Sequence, residues 1–249
     1  MATFRKAART RLNALLGHAG FQVVRPGEKN HIKSYQPFQQ TLASARKAGL
    51  SVGDYIDSKF QVPGATQETI DRLAELGVFD KKMQTVCEIG PGSGRYLEKV
   101  QRLCAPQSYE IYEPEKEWSD WLARTYAVTA HESDGRRLAH TSNDSVDLVH
   151  AHKVFVCLLF VVACGYFGEM IRIARPGGQI VFDLVSENCM PDMTLEKWIA
   201  SQIDYPCMLP RNFVIDYFAR RGCRLCASFF APMVPGQSEY LVFAKEGGQ

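Results

Sequence analysis

The spacing of apolar residues divides the chain into two parts. In the first part apolar side chains recur at intervals of three and four, which predicts amphipathic helices over 3–17, 38–50 and 65–78. In the second part short apolar runs alternate with helical patterns instead. The sequence therefore predicts a helical N-terminal segment over 1–80, followed by an α/β domain over 81–249.

The second part predicts a mostly parallel β-sheet, because strands that alternate with helices place those helices on both faces of a parallel sheet. Predicted strands cover 84–89, 108–113, 127–131, 145–150, 179–185, 223–230 and 238–245, and predicted helices include 115–126, 154–167, 193–202 and 210–221. The loop between the last two strands is short enough for an antiparallel hairpin. We expect a Rossmann-like, doubly wound sheet of seven strands that ends in this hairpin.

Charge and apolar content limit the classes of protein. The apolar run Val154–Phe167 has 14 residues, too few to span a bilayer as a helix. Net charge is only +2, which disfavours a large nucleic acid as partner. The first 50 residues nevertheless hold nine Lys or Arg and one acid. The basic helix at 3–17 is compatible with an anionic membrane surface and equally with a solvated face.

The eight cysteines show no disulfide framework. Cys223 and Cys226 form the only C-x-x-C pair, with no second pair and no nearby histidine, whereas a zinc site needs about four ligands. We predict no metal and a reducing, cytoplasmic compartment.

The most informative stretch joins the first predicted strand to the next helix. Glycines at 90, 92 and 94 permit a tight turn and the close approach of a bulky ligand. Arg95 stands where the dinucleotide fingerprint has its last glycine, and Glu88 lies two residues before the first glycine. Glycines alone are also compatible with a plain strand-to-helix turn.

Two further acids follow at strand ends. Glu113 ends the second strand about 20 residues after the loop, the position from which a carboxylate accepts hydrogen bonds from ribose hydroxyls. Asp134–Gly135 follows the third strand, where a carboxylate can hold an adenine amino group. Together with the glycine loop, these acids favour a ligand that contains a nucleoside.

In element order and in these motifs, residues 83–245 resemble the class I S-adenosylmethionine-dependent methyltransferases. The resemblance implies that Glu88 lies near the methionine amino group and that Gly90, Gly92 and Gly94 make room for the methionine and ribose. It further implies that Glu113 binds the ribose hydroxyls and that Asp134 and Gly135 contact the adenine. The cofactor in that case is S-adenosylmethionine, and the protein chiefly aligns a nucleophile with its methyl group.

Two histidines follow the predicted fourth strand, at a position that faces the substrate in this family. His150 and His152 are two residues apart, so on a strand their side chains point the same way. Together with Lys153 they form a candidate acid–base group, because histidine titrates near neutral pH. We predict His152 as the general base and His150 as a supporting residue. The alternative is that both are packed, hydrogen-bonded histidines without a catalytic role.

Motifs that the sequence lacks limit the possible acceptors of the methyl group. The fourth strand lacks the Asn-Pro-Pro-Tyr type sequence expected for adenine amino methylation and the Pro-Cys expected for pyrimidine methylation. The segments 147–182, 205–211 and 217–222 resemble bacterial methyltransferases that modify surface polysaccharides and the cell envelope. We therefore expect O-methylation of a sugar or envelope precursor, with residues 3–17 at the inner face of the membrane.

Two other classes of protein are also compatible with this sequence. A nicotinamide-dependent oxidoreductase shares the sheet, the glycine loop and the acid at strand two, although Arg95, Asp134–Gly135 and the terminal hairpin count against it. A non-catalytic methyltransferase-like module, serving as a partner subunit, would keep the same cofactor residues. The sequence does not define the oligomeric state.

Overall fold

The structure is a computed structural model that describes residues 37–60, 62–201, 206–234 and 236–247. The helix predicted at 3–17 lies outside these ranges. The described helices are α1 (Phe38–Ala48), α2 (Val52–Phe60), α3 (Ala65–Glu75), α4 (Arg95–Cys104), α5 (Lys116–Tyr126), α6 (Phe160–Ile173), α7 (Asp192–Ser201) and α8 (Arg211–Ala219). The strands are β1 (Thr85–Ile89), β2 (Ser108–Tyr112), β3 (Thr129–His131), β4 (Val146–Ala151), β5 (Ala174–Leu184), β6 (Cys223–Pro232) and β7 (Gln237–Lys245).

The strands form one seven-stranded sheet in the order β3-β2-β1-β4-β5-β7-β6. The first five are parallel to their neighbours, and β7 runs antiparallel to both β5 and β6. This confirms the predicted Rossmann-like sheet and its antiparallel C-terminal hairpin. The strand order reverses between β1 and β4, and in such sheets the carboxyl ends at that point border a crevice.

Alternation along the strands gives the sheet two apolar layers. On one face Val86 and Leu148 pack with Leu73 of α3 and Leu97 of α4. On the other face Cys87 and Val149 join the layer that contains Phe167 of α6 and Phe218 of α8. Glu88 and His150 follow Val86 and Leu148 at a spacing of two, so both polar side chains belong to the α3/α4 face.

The N-terminal helices share this core. Ile70 and Leu73 of α3 belong to the same apolar cluster as the strand residues of the α3/α4 face. Phe38 of α1 meets Trp118 of α5 edge-on, with ring centroids 4.9 Å apart. The helices between residues 38 and 75 are therefore packed against the sheet and its helices.

The apolar run at 154–167 is not one helix. Residues 152–159 form turns after β4, and α6 begins only at Phe160. Phe155 and Val156 are buried within the turn segment, so their hydrophobicity reflects burial and not helical conformation. The predicted strand at 179–185 also begins earlier, at Ala174, with an irregular register beside Val146.

Within the described ranges, no helix combines the length and apolar character needed to cross a membrane.

Candidate functional site

The glycine loop turns the chain from β1 into α4 through left-handed backbone. Gly90, Gly92 and Gly94 have φ angles of 62°, 54° and 74°. A Cβ atom at Gly90 would lie 2.8 Å from Val154 Cγ2, and one at Gly94 would lie 2.5 Å from Leu122 Cδ2. A Cβ atom at Gly92 would meet nothing within 4 Å. Packing therefore requires the outer two glycines, whereas Gly92 borders open space that a ligand can occupy.

Glu113 is held against this loop. Its Oε2 accepts a hydrogen bond from the Gly92 N–H at 2.8 Å, and its Oε1 accepts one from the Glu115 N–H at 2.9 Å. Burial raises the pKa of Glu113, and these two hydrogen bonds oppose that rise. The structure thus brings the acid predicted to bind ribose into contact with the predicted glycine loop.

Glu88 is a buried acid, with 1% of its surface exposed. The Tyr109 hydroxyl lies 2.7 Å from its Oε2. Burial raises the pKa of Glu88 to about 8, Glu113 adds to the rise, and Tyr109 and Arg95 oppose it. Within the described ranges no lysine or arginine forms an ion pair with this carboxyl. Glu88 is therefore mostly protonated at pH 7 unless a cation is placed beside it.

Glu88 is the first member of a buried hydrogen-bond chain that crosses the α3/α4 face. Tyr109 lies 2.9 Å from His150 Nε2, and His150 Nδ1 lies 2.9 Å from His152 Nε2. His152 Nδ1 lies 3.0 Å from the Tyr240 hydroxyl, which is 3.5 Å from the Tyr96 hydroxyl. The buried hydrogen-bond chain consists of Glu88, Tyr109, His150, His152, Tyr240 and Tyr96.

Both histidines are neutral in this environment. Burial lowers the pKa of His150 to about 3 and that of His152 well below its usual value, with nearby Lys153 and Arg95 adding to the second shift. The prediction that the two side chains point the same way is confirmed by their 2.9 Å contact. His152 uses both ring nitrogens in the chain, and the Tyr96 ring stacks on it at 3.9 Å. A proton from outside the hydrogen-bond chain therefore reaches His152 only through His150 or Tyr240, or by displacing one of them.

Lys153 is held in place by contacts with Asp183 and Ser238. Its backbone has φ of 60°, a conformation that costs a non-glycine residue about 1 kcal/mol or more. Its N–H donates to Asp183 Oδ1 at 2.6 Å, and its ammonium lies 3.0 Å from Asp183 Oδ2 and donates to Ser238 at 2.6 Å. The lysine grouped with the histidines as an acid–base candidate is thus held by an acid that the sequence analysis did not single out.

A second buried ion pair joins the N-terminal helices to the glycine loop. Arg95, the first residue of α4, lies 2.7 Å from Asp57 of α2, and the Thr66 hydroxyl of α3 donates to the same oxygen at 2.7 Å. The sequence assigned Asp57 and Thr66 only to a helical lead-in. Their separation from Arg95 along the chain left no local pattern that could reveal the contact.

Asp134 lies apart from these groups, on the loop after β3. Its Oδ1 accepts from the N–H groups of Arg136 and Arg137 at 2.8 and 2.7 Å, and these bonds lower its pKa. The side chain is 46% exposed. Gly135 has φ of 72°, and a Cβ atom there would meet nothing within 4 Å. The assignment of Asp134 and Gly135 to adenine stays a prediction.

The described part of the chain contains no cluster of three His, Cys, Asp or Glu side chains arranged to hold a metal ion. Cys223 is buried and Cys226 is exposed, both as free thiols.

No protein-family model matches this sequence, and no curated protein matches it. Solved structures share its fold. The N-methyltransferase NodS from Bradyrhizobium japonicum WM9, in complex with S-adenosyl-L-homocysteine, has a TM-score of 0.61 and 16% identity, covering 88% of this chain and 100% of that one. An O-methyltransferase family protein from Burkholderia thailandensis has a TM-score of 0.59 and 15% identity, covering 87% of this chain and 64% of that one.

Magnesium protoporphyrin IX methyltransferase from Synechocystis PCC 6803, with bound S-adenosyl-L-homocysteine, has a TM-score of 0.55 and 14% identity, covering 73% of this chain and 84% of that one. These neighbours are class I S-adenosylmethionine-dependent methyltransferases. At such low identity the likeness establishes the fold, and it confirms the architecture expected from the sequence.

The packing at the loop predicts unequal effects of two alanine substitutions. Gly94→Ala adds a methyl group against Leu122 at a left-handed position, so we expect a loss of about 2–4 kcal/mol in the free energy of unfolding. Gly92→Ala has the same backbone cost and no clash, so about 1–2 kcal/mol is expected. Urea unfolding of both variants measures the difference, and equal losses would contradict the packing described here.

Proposed function

We propose that this chain binds S-adenosylmethionine and transfers its methyl group to a small molecule or glycan. The observation that carries the proposal is the contact between Glu113 and the Gly92 N–H beside open space, at the reversal point of a methyltransferase fold. NodS and the magnesium protoporphyrin methyltransferase are neighbours with S-adenosyl-L-homocysteine bound, which supports this choice of cofactor.

The acids of the site have the capacity that such a cofactor needs. A carboxylate offers about four acceptor positions, and each oxygen of Glu113 uses one, so both can accept a ribose hydroxyl. No lysine or arginine of the described residues forms an ion pair with Glu88, which suits the methionine ammonium. We assign Gly90, Gly92 and Gly94 to the space for methionine and ribose. The exposed Asp134 and the open side of Gly135 are assigned to adenine.

When bound, the cofactor supplies a methyl group made electrophilic by its sulfonium. The chain's own contribution is then to orient the acceptor and to exclude water around it. The shared fold counts against a nicotinamide-dependent oxidoreductase, whereas a non-catalytic module with the same cofactor residues is separated only by turnover.

Cofactor selection is the first test. Isothermal titration is expected to detect S-adenosylmethionine and S-adenosyl-L-homocysteine, but not NADH or NADPH. Glu113→Gln should weaken binding by about 10- to 100-fold, because hydrogen bonds to charged groups contribute about 1.5–3 kcal/mol. The matched control is Glu115→Gln, which changes an exposed neighbour and should leave affinity within about twofold. Absence of binding at millimolar cofactor would overturn the proposal.

We extend the proposal to O-methylation of a sugar or envelope precursor, with His152 as the general base and His150 as a supporting residue. His152 is 6% exposed, and its lowered pKa keeps it in the neutral form that a general base requires while making it a weaker base than a free imidazole. The near-zero net charge disfavours a nucleic-acid acceptor. The neighbours include N- and O-methyltransferases and so do not select the atom methylated.

If His152 is the general base, its replacement should lower kcat without weakening the binding of S-adenosylmethionine. With a panel of nucleotide-linked and lipid-phosphate-linked sugars as acceptors, His152→Gln should lower kcat by about 10²–10⁴ while the Kd for S-adenosylmethionine changes less than about threefold. His140→Gln, an exposed histidine, is the control. Wild-type kcat should persist below pH 6.5, because His152 stays neutral there. An unchanged kcat in the variant, or a methyl group found on nitrogen by mass spectrometry, would exclude this mechanism.

We also propose that the protein is cytoplasmic and touches the inner face of the membrane through residues 3–17. This segment lies outside the described residues, and the proposal rests on its basic and apolar side chains, Phe4, Arg5, Lys6, Ala8, Arg9, Arg11, Leu12, Leu15 and Leu16.

Removing residues 1–17 tests this contact. Sedimentation with phosphatidylglycerol vesicles should recover the full chain more efficiently than the shortened one, and added salt should reduce the difference. The affinity for S-adenosylmethionine should be the same for both. Equal recovery of the two proteins on the vesicles would refute the membrane contact.

A further inference from the structure

The groups that face Glu88 supply hydrogen bonds but no free positive charge. Tyr109 approaches from β2 and His150 from β4, with His150 Nε2 3.9 Å from the Glu88 carboxyl. Arg95 of α4 acts on Glu88 through space, yet its guanidinium is paired with Asp57. Two further acidic groups lie nearby, Glu113 after β2 and the Cys87 thiol on β1, and neither brings positive charge. Among the described residues, Glu88 therefore lacks the cationic partner that a buried carboxylate needs.

The buried hydrogen-bond chain can be oriented in two ways without moving any heavy atom. A tyrosine hydroxyl and a neutral imidazole each carry one proton to donate, so the links of the chain can all point toward Glu88 or all point toward Tyr96. If Glu88 is a carboxylate, Tyr109 donates to it and every further link points toward Glu88. If Glu88 is protonated, it can donate to Tyr109, and every link can then point toward Tyr96.

We propose that Glu88 is a neutral acid in the ligand-free protein and a carboxylate once an ammonium group binds against it, and that Tyr109, His150 and His152 are positioning residues that satisfy its hydrogen bonds in both states. This inference rests on the proposed function, which supplies the ammonium of the cofactor's methionine moiety.

When the direction of the hydrogen bonds along the buried chain reverses, one proton in total passes from Glu88 to the far end. The Glu88 O–H bond breaks as Tyr109 accepts the proton, and each member of the chain passes its own proton to the next. The hydroxyl at the Tyr96 end then releases one proton to water. The reversed chain leaves Tyr109 donating to an anionic Glu88, which pairs with the bound ammonium.

The consequence is a pH-dependent affinity with a defined direction. In the empty site burial raises the pKa of Glu88 to about 8, and a bound ammonium lowers it. Binding therefore releases a proton below pH 8 and becomes tighter as pH rises, by about tenfold from pH 6 to 7, until it levels off above 8. His150 and His152 contribute nothing to this change, because their lowered pKa values keep them neutral throughout.

Titration with S-adenosyl-L-homocysteine tests the inference without an acceptor. At pH 7, heats measured in phosphate and in Tris should show close to one proton released per ligand bound, and Kd should fall between pH 6 and 8. Glu88→Gln should abolish both the proton release and the slope. If the wild type binds with no proton release and a flat pH profile, the inference is wrong while the proposed function stands.

Tyr109→Phe separates positioning from mere packing. Loss of its hydrogen bond to the carboxylate should raise the pKa of Glu88 further and move the pH at which affinity levels off upward by about one unit. Loss of packing alone would weaken binding equally at every pH and would contradict the assigned role. Tyr112→Phe is the matched control, because Tyr112 is a buried tyrosine of the same strand whose hydroxyl bonds Thr141 instead.

Infrared spectroscopy of the wild type provides a readout that depends on no variant folding. A protonated-carboxyl band is expected in the ligand-free protein at pH 7, lost on raising the pH through about 8 and lost when S-adenosyl-L-homocysteine binds. If that band is absent from the ligand-free protein, the inference fails whether or not the ligand binds. Failure to bind either form of the cofactor at any pH would instead refute the proposed function.

Discussion

The chain must turn from β1 into α4 between Ile89 and Arg95 while Val154 and Leu122 press on the turn from two directions. Only residues without a side chain fit at the two crowded positions, so the path of the backbone is fixed there. That path aims the Gly92 N–H at Glu113 and leaves the space beside Gly92 open. This one steric constraint therefore underlies both the contact of Glu113 with the loop and the open space beside Gly92.

The strand that leads into this turn places a carboxyl group, Glu88, at the edge of an apolar layer. Val86 and Glu88 face the same side of β1, so the strand that fills the core with valine also carries the acid into it. Transfer of an isolated carboxylate into such surroundings is costly, and protonation or a cation are the two ways to reduce that cost. Tyr109 and the histidines satisfy the hydrogen-bonding needs of either form, which explains why polar side chains continue along this face instead of apolar ones.

The sequence predicted what is local and missed what depends on register. The order of strands and helices followed from periodicity, and the glycines, Glu88 and Glu113 were visible because strand ends carry them. Tyr109 and Tyr240 were missed, since their meeting with the histidines depends on how β1, β2, β4 and β7 are aligned. The start of α6 was wrong because a buried turn and a buried helix have the same apolar composition.

Arg95 connects the N-terminal helices to the chemistry of the loop. Arg95 is the first residue of α4, and its charge lowers the pKa of Glu88 by less than burial raises it. Asp57 of α2 pairs with the guanidinium, and the Thr66 hydroxyl of α3 donates to the same Asp57 oxygen. Because an arginine that is already paired neutralises a second acid poorly, the packing of these helices leaves Glu88 in need of a cation. The N-terminal helices thereby influence the charge around Glu88 through Arg95.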